Sequence, residues 1–153
     1  MKKRYCFFAL LTLVFVALPV FSGDEDEKEP PVFPSFAIIN ASYRGDLKTI
    51  QNILDSGVDP DVRDDLGATA LHHSMLQPNV MVVKLLLDYG FDPNAVTKNG
   101  YTPLHFAVAA NNLAAARLLL QYGADKRIKN SEGLTPLDKA RKSENGPLIN
   151  LLR

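Results

Sequence analysis

The side chains best suited to hold a metal or move a proton are His72, His73 and His105, the chain's three histidines, and the aspartates at 59, 61, 64 and 65. His72 and His73 are adjacent, so on a helix they point in different directions, and no cysteine stands beside them to complete a ligand set. The four aspartates offer oxygen atoms to calcium, but their spacing fits no helix-flanked calcium loop. Asp59 recurs at Asp92 and Asp125, which marks a turn residue rather than a ligand. Ser42, Ser74 and Ser143 lie in no nucleophile elbow, and the glycines form no phosphate loop. These residues predict a protein that is not an enzyme and that holds no metal and no cofactor.

What positions these side chains is a repeat. Gly57, Gly90 and Gly123 are 33 residues apart, and so are Gly67, Gly100 and Gly133. The same step relates Thr69, Thr102 and Thr135; Leu71, Leu104 and Leu137; and Leu54, Leu87 and Leu120. A fixed period with no insertion signals a stacked array in which each unit buries its apolar face only against its neighbours. Within one unit, Gly100 suits a turn with positive φ, Thr102 caps a helix, and Pro103 takes the first helical position, where no donor is needed. The helix carries Leu104, Ala107 and Val108 and breaks at Asn111-Asn112. A second helix, from Leu113 to Tyr122, ends where Gly123 takes the left-handed position. Ser74, Ala107 and Ala140 are small at one shared position, as close helix approach requires.

The motif Thr102-Pro103-Leu104-His105-Phe106-Ala107 resembles the helix start of the ankyrin-repeat family in full. Thr69-Ala70-Leu71-His72-His73-Ser74 and Thr135-Pro136-Leu137-Asp138-Lys139-Ala140 depart at one end each. Phe36-Ala37-Ile38-Ile39-Asn40-Ala41 keeps only the apolar and small positions. The resemblance covers residues 36–153 and implies an all-α solenoid of four helix-hairpin units, at 36–66, 67–99, 100–132 and 133–153. Three β-turn fingers join them, near 61–68, 94–101 and 127–134. The first unit lacks a finger. The last helix looks weakest, since Gly146 and Pro147 fall at its start and leave only residues 147–153, about two turns, to close the core. In this family the motif histidine ties adjacent units together, which implies that role for His72 and His105.

The resemblance also implies protein binding on the concave face, beside each finger glycine and near the end of each first helix. Carried over by position, these are Arg63, Asp65, Leu66, Ala68, Leu76 and Gln77; Val96, Lys98, Asn99, Tyr101, Ala109 and Ala110; Lys129, Ser131, Glu132, Leu134, Lys142 and Ser143; and Tyr43 and Arg44 in the first unit. Aromatic and arginine side chains concentrate interface energy, which singles out Tyr101, Arg63, Tyr43 and Arg44 as anchors. Gln51 and Lys84 fall on the opposite, convex side.

Charge bears on partner and compartment. The chain has 17 basic and 17 acidic residues and a 46% hydrophobic composition, so no basic excess points to nucleic acid, and one small domain is expected. Residues 1–22 read as a signal peptide: Lys2, Lys3 and Arg4, then an uncharged apolar run, then Val20 and Ser22 placing the cut before Gly23. Retention as a membrane anchor is the alternative, because 18 apolar residues lie at the lower limit for a span. Cleavage leaves 14 basic against 17 acidic residues and removes Cys6, the only cysteine. Residues 23–35 read as an acidic, proline-rich linker. Residues 24–29 carry a net charge of −4 and residues 126–153 one of +4.

The chain is thus expected to be periplasmic, free of the membrane once cleaved, monomeric when free, and bound to one periplasmic enzyme. Its concrete role is expected to be an inhibitor or immunity protein capping a secreted cell-wall or lipid hydrolase. The alternatives are an accessory factor for an enzyme such as a catalase, or a membrane-tethered scaffold.

Overall fold

The computed structural model describes residues 36–153, so the signal-peptide and linker readings lie outside the described residues. The described residues form eight α-helices and no strand, which makes the architecture an all-α repeat stack. The helices pair as hairpins: α1 (Ala37–Arg44) with α2 (Leu47–Asp55), α3 (Ala70–Ser74) with α4 (Val80–Asp88), α5 (Pro103–Ala109) with α6 (Leu113–Gln121), and α7 (Pro136–Lys142) with α8 (Gly146–Leu152). None of these helices is long and apolar enough to cross a membrane.

Each first helix begins where its threonine predicts. The side chains of Thr69, Thr102 and Thr135 meet the backbone three residues on, and His72, His105 and Asp138 return the contact. Each second helix is capped by a column that the sequence displays at the same period: Asp46, Asn79, Asn112 and Asn145 all accept from a backbone N–H of the first turn. The last helix is short, about two turns as its sequence implies, and Asn145 is what starts it. Capped by Asn145, α8 starts at Gly146, with Pro147 tolerated in the first turn, and it drives Leu148 and Leu152 into the core.

One continuous core runs through the stack. Ile38, Ile50, Ile53, Leu71, Leu86, Leu104, Leu119 and Leu148 are fully buried. Leucine or isoleucine in the same column of successive hairpins places apolar surface on both sides of each unit, so every hairpin depends on its neighbour for burial.

Candidate functional site

The three fingers are built by short backbone pairings: Asp64 N–H to the Ala68 carbonyl (2.9 Å), Thr97 to Tyr101 (3.0 Å) and Asn130 to Leu134 (3.0 Å). A glycine stands inside each finger, and the middle one has no substitute. Gly100 has φ +72°, and a Cβ there would meet the Asn130 Cα at 3.1 Å. Gly67 makes the same close approach, to Lys98 N at 3.1 Å, and the two together let the fingers bond to one another, Lys98 N–H to the Leu66 carbonyl (3.0 Å) and Ser131 N–H to the Asn99 carbonyl (2.9 Å).

Below the fingers, the two motif histidines act as clamps. Thr69 N–H donates to Nδ1 of His72 (3.1 Å), which leaves Nε2 as the N–H that donates to the Tyr101 carbonyl of the next unit (3.1 Å). His105 repeats this with Thr102 (3.1 Å) and the Leu134 carbonyl (3.0 Å). Burial pushes the His72 imidazole from 6.5 down to about 4, against the opposing pull of the Tyr101 carbonyl. Burial lowers His105 as well, again against a carbonyl, that of Leu134. Both rings are therefore neutral structural donors at pH 7.

Three of the four aspartates are likewise engaged in the first finger's turn, and Asp65 is exposed. Asp59 accepts from Asp61 N–H (2.9 Å), and Asp61 pairs with Arg63 (2.7 Å). Asp64 accepts from Leu66 N–H (2.9 Å), Ala68 N–H (2.8 Å) and His73 Nε2 (2.8 Å). Burial raises the Asp64 carboxyl, but the bonds from His73 and the two backbone donors outweigh it and hold the group below its usual value. Among the described residues no three His, Cys, Asp or Glu side chains converge on a common point.

What the fingers and first helices leave open is an apolar groove of about 370 Å³. Its walls are Leu66, Ala68, Thr97, Asn99 and Tyr101 from the fingers, with His73, Leu76, His105, Phe106, Ala109 and Ala110 from the helices. Asp64 and Lys139 stand at its margins. Leu66 is 68% exposed and Leu76 48%, and they are the only exposed leucines among the described residues. Tyr101 is fixed in place rather than free: its ring meets His105 and Phe106 edge-on at 5.6 and 6.4 Å, Lys139 Nζ lies 4.6 Å from the ring centroid, and its hydroxyl donates to Glu132. That bond to Glu132, with partial burial second, raises the Tyr101 hydroxyl above its ordinary pKa.

Of the positions expected from sequence, Leu66, Ala68, Leu76, Asn99, Tyr101, Ala109 and Ala110 meet in this groove. Asp65, Val96, Lys98, Lys129, Ser131, Glu132, Lys142 and Ser143 are exposed around it, and Leu134 is half-buried. Arg63 departs from the expectation of a free anchor. Its guanidinium is bonded to Asp61 and donates to the Val96 carbonyl of the next finger (2.8 Å) and to Gly67 (3.4 Å), so it braces two fingers. Arg44 turns to a recess on the open first end of the stack, beside Phe36, Asn40 and Asp46. Tyr43 is exposed next to His73, and its carbonyl accepts from Gln77, which is thereby committed within the fold.

His73, Phe106 and Lys139 line the groove and were not among the expected binding positions. They form one 33-residue column, three residues before Leu76, Ala109 and Lys142. Residues three apart on a helix share a face, and that spacing is the signal that finds them.

On the convex side, Gln51 and Lys84 belong to a ladder between units: Tyr89 donates to Asp55 (2.6 Å) and accepts from Gln51 (2.6 Å), while Tyr122 donates to Asp88 (2.5 Å), which also pairs with Lys84 (2.5 Å). Met81, 58% exposed, is the free apolar side chain there.

Residues 38–130 match a family model described as ankyrin repeats, in three copies. No curated protein matches the chain. The match ends before α7 and α8, which continue the stack by packing on α5 and α6.

Proposed function

Because the chain belongs to the ankyrin-repeat family, a family of protein-interaction modules, we propose that it is a non-catalytic binding protein whose concave groove receives one partner protein. The observation that carries this reading is the pair of exposed leucines, Leu66 and Leu76, flanking an apolar groove whose aromatic wall is already held rigid by Glu132 and Lys139. Pre-ordered aromatic area costs little entropy on binding, and apolar surface left open on a small domain marks an interaction site. Leu66→Ala combined with Leu76→Ala is expected to weaken partner binding by about 2 kcal/mol or more, with helix content and unfolding midpoint unchanged. Met81→Ala on the convex side is expected to leave binding alone. Titration calorimetry with each variant decides between the two faces.

In the fuller form of this proposal, the protein is exported through residues 1–22, acts in the periplasm, and occludes a secreted cell-wall or lipid hydrolase. The basic stub, apolar run and Val20/Ser22 pair support export. Intact mass of the protein recovered from the periplasm is expected to correspond to a chain starting at Gly23; a full-length, membrane-bound form would overturn export. Assay of the enzyme captured by the groove separates the roles, since inhibition fits a hydrolase cap and stimulation fits an accessory factor.

A further inference from the structure

Two columns of side chains recur along the groove at the step of 33: Asp64, Thr97 and Asn130 on the fingers, and His73, Phe106 and Lys139 on the first helices. At the first finger the two columns meet as an acid and a base. Asp64 Oδ1 accepts from the N–H groups of Leu66 and Ala68, and Oδ2 accepts from His73 Nε2 (2.8 Å). At the second, Thr97 Oγ1 accepts from Tyr101 N–H (3.1 Å), and Phe106 needs no polar partner.

At the third finger the acid is missing. Asn130 keeps the backbone role of Asp64, since its Oδ1 accepts from Glu132 N–H (3.0 Å) and Leu134 N–H (3.0 Å). Those two donors fix which end of the amide is oxygen, so Nδ2 takes the place of the Asp64 oxygen that meets His73. Nδ2 is buried without a hydrogen-bond partner among the described residues, although it lies near enough to the Tyr101 hydroxyl to oppose the stronger effect of Glu132 there. Lys139, the counterpart of His73, is half-buried in the groove wall and makes no ion pair among the described residues. A donor and a cation thus stand where the first finger has an acid and a base.

The surrounding charges do not supply the missing acceptor. Glu132 is taken by the Tyr101 hydroxyl, and Asp138 by Thr135 (2.7 Å) and Arg141 (3.6 Å). Glu144 lies beyond α7, in the turn to α8, while Lys142 and Lys129 add exposed positive charge on the same helix and on the neighbouring finger. The groove is therefore apolar in the middle, acidic under His73 at one end and cationic at the other, a charge order that both attracts and orients an acidic ligand.

We propose that the partner segment received by the groove carries an aspartate or glutamate whose carboxylate seats against Lys139, with apolar side chains beside it against Leu66, Leu76 and Phe106. This rests on the reading of the groove as a partner site and specifies the chemistry of that partner. The carboxylate supplies the acceptor that this end lacks, and Asp64 gives the other end the wrong sign for an acid, so the segment lies in one direction.

Random peptides displayed on phage and panned against the full-length protein test this. The enriched peptides are expected to share apolar residues with an aspartate or glutamate at a fixed spacing to one side. Panning against Lys139→Gln, and separately against Asn130→Asp, should keep the apolar residues and lose the acid. Asn130→Asp is the sharper variant: Asp64 shows that an aspartate keeps both backbone bonds, and its second oxygen gives Lys139 an internal partner without removing the lysine from Tyr101. The most enriched peptide, synthesised and titrated by calorimetry, should bind each variant about fivefold or more weakly, the scale of one lost ion pair, and should weaken with salt. Lys84→Gln on the convex side should leave its affinity unchanged. Circular dichroism and the denaturant midpoint verify each fold; if one variant unfolds, the other and the salt titration decide. Apolar enrichment with no acid, or an acid whose selection survives both variants, overturns the carboxylate and leaves the groove as a partner site. No enrichment, or enrichment indifferent to Leu66→Ala with Leu76→Ala, overturns both.

Discussion

Leu104→Ala is expected to lower the free energy of unfolding by about 2–5 kcal/mol, read as a drop in denaturant midpoint with little loss of slope. Leu104 has no exposed surface and lies on α5, which packs against α3 on one side, α7 on the other and α6 within its own hairpin. Truncation removes the transfer free energy of the missing carbons and leaves a cavity, because three helices cannot all close on the gap at once. Ser131→Ala, at an exposed position of the last finger, is expected to stay within about 0.5 kcal/mol. Equal shifts for the two would mean that the register of the stack is wrong.

Acidification is expected to destabilise the fold over a defined window. With the His72 imidazole at about 4 in the folded protein and 6.5 when unfolded, the unfolded state binds the extra proton between those values. Its contribution is therefore fully present above about pH 6.5 and is lost as pH falls toward 4, by up to about 3 kcal/mol at 1.4 kcal/mol per unit. His105, lowered by burial in the same way, adds to the loss with the same sign. A His72→Asn variant should begin less stable at pH 7 and show a shallower slope between pH 6.5 and 4. An unchanged slope would assign the acid sensitivity to other groups. The carboxyls held low in the fold, such as Asp64 and Asp138, act below this window, since their ordinary value is already 3.8.

The period of 33 carries the fold because each structural requirement recurs at each turn of the stack, and positions such as Thr102, Pro103 and Gly100 have only one physical explanation. The Asp46, Asn79, Asn112 and Asn145 column is equally visible, and it explains how the two-turn α8 starts in spite of Gly146 and Pro147. A breaker outside its cap is an obstacle, whereas a proline in the first turn behind an asparagine cap is ordinary.

The groove was legible in part. Leu66, Leu76 and Tyr101 follow from position alone, but whether a side chain is free to bind depends on what else it touches. Arg63 shows the difference: an exposed arginine in sequence becomes a brace once Asp61 and the Val96 carbonyl lie within reach. His73 and Phe106 escaped because they follow motif residues that face inward, and only the helical geometry shows that the next residue faces the groove.

The clamps between hairpins are unequal. His72 and His105 fasten the second hairpin to the third and the third to the fourth, and the fingers bond across the same two seams. The first hairpin has Ile39 at the histidine position, and no finger-to-finger bond joins it to the second. Under tension the stack is thus a series of unlike links, and a pull applied at Phe36 first meets the one without a histidine clamp, held instead by side-chain bonds such as Gln77 to the Tyr43 carbonyl and Tyr89 to Asp55. Load entering from that end peels α1 and α2 away one bond at a time, while the same load on the inner hairpins must shear a histidine clamp and a backbone pair together.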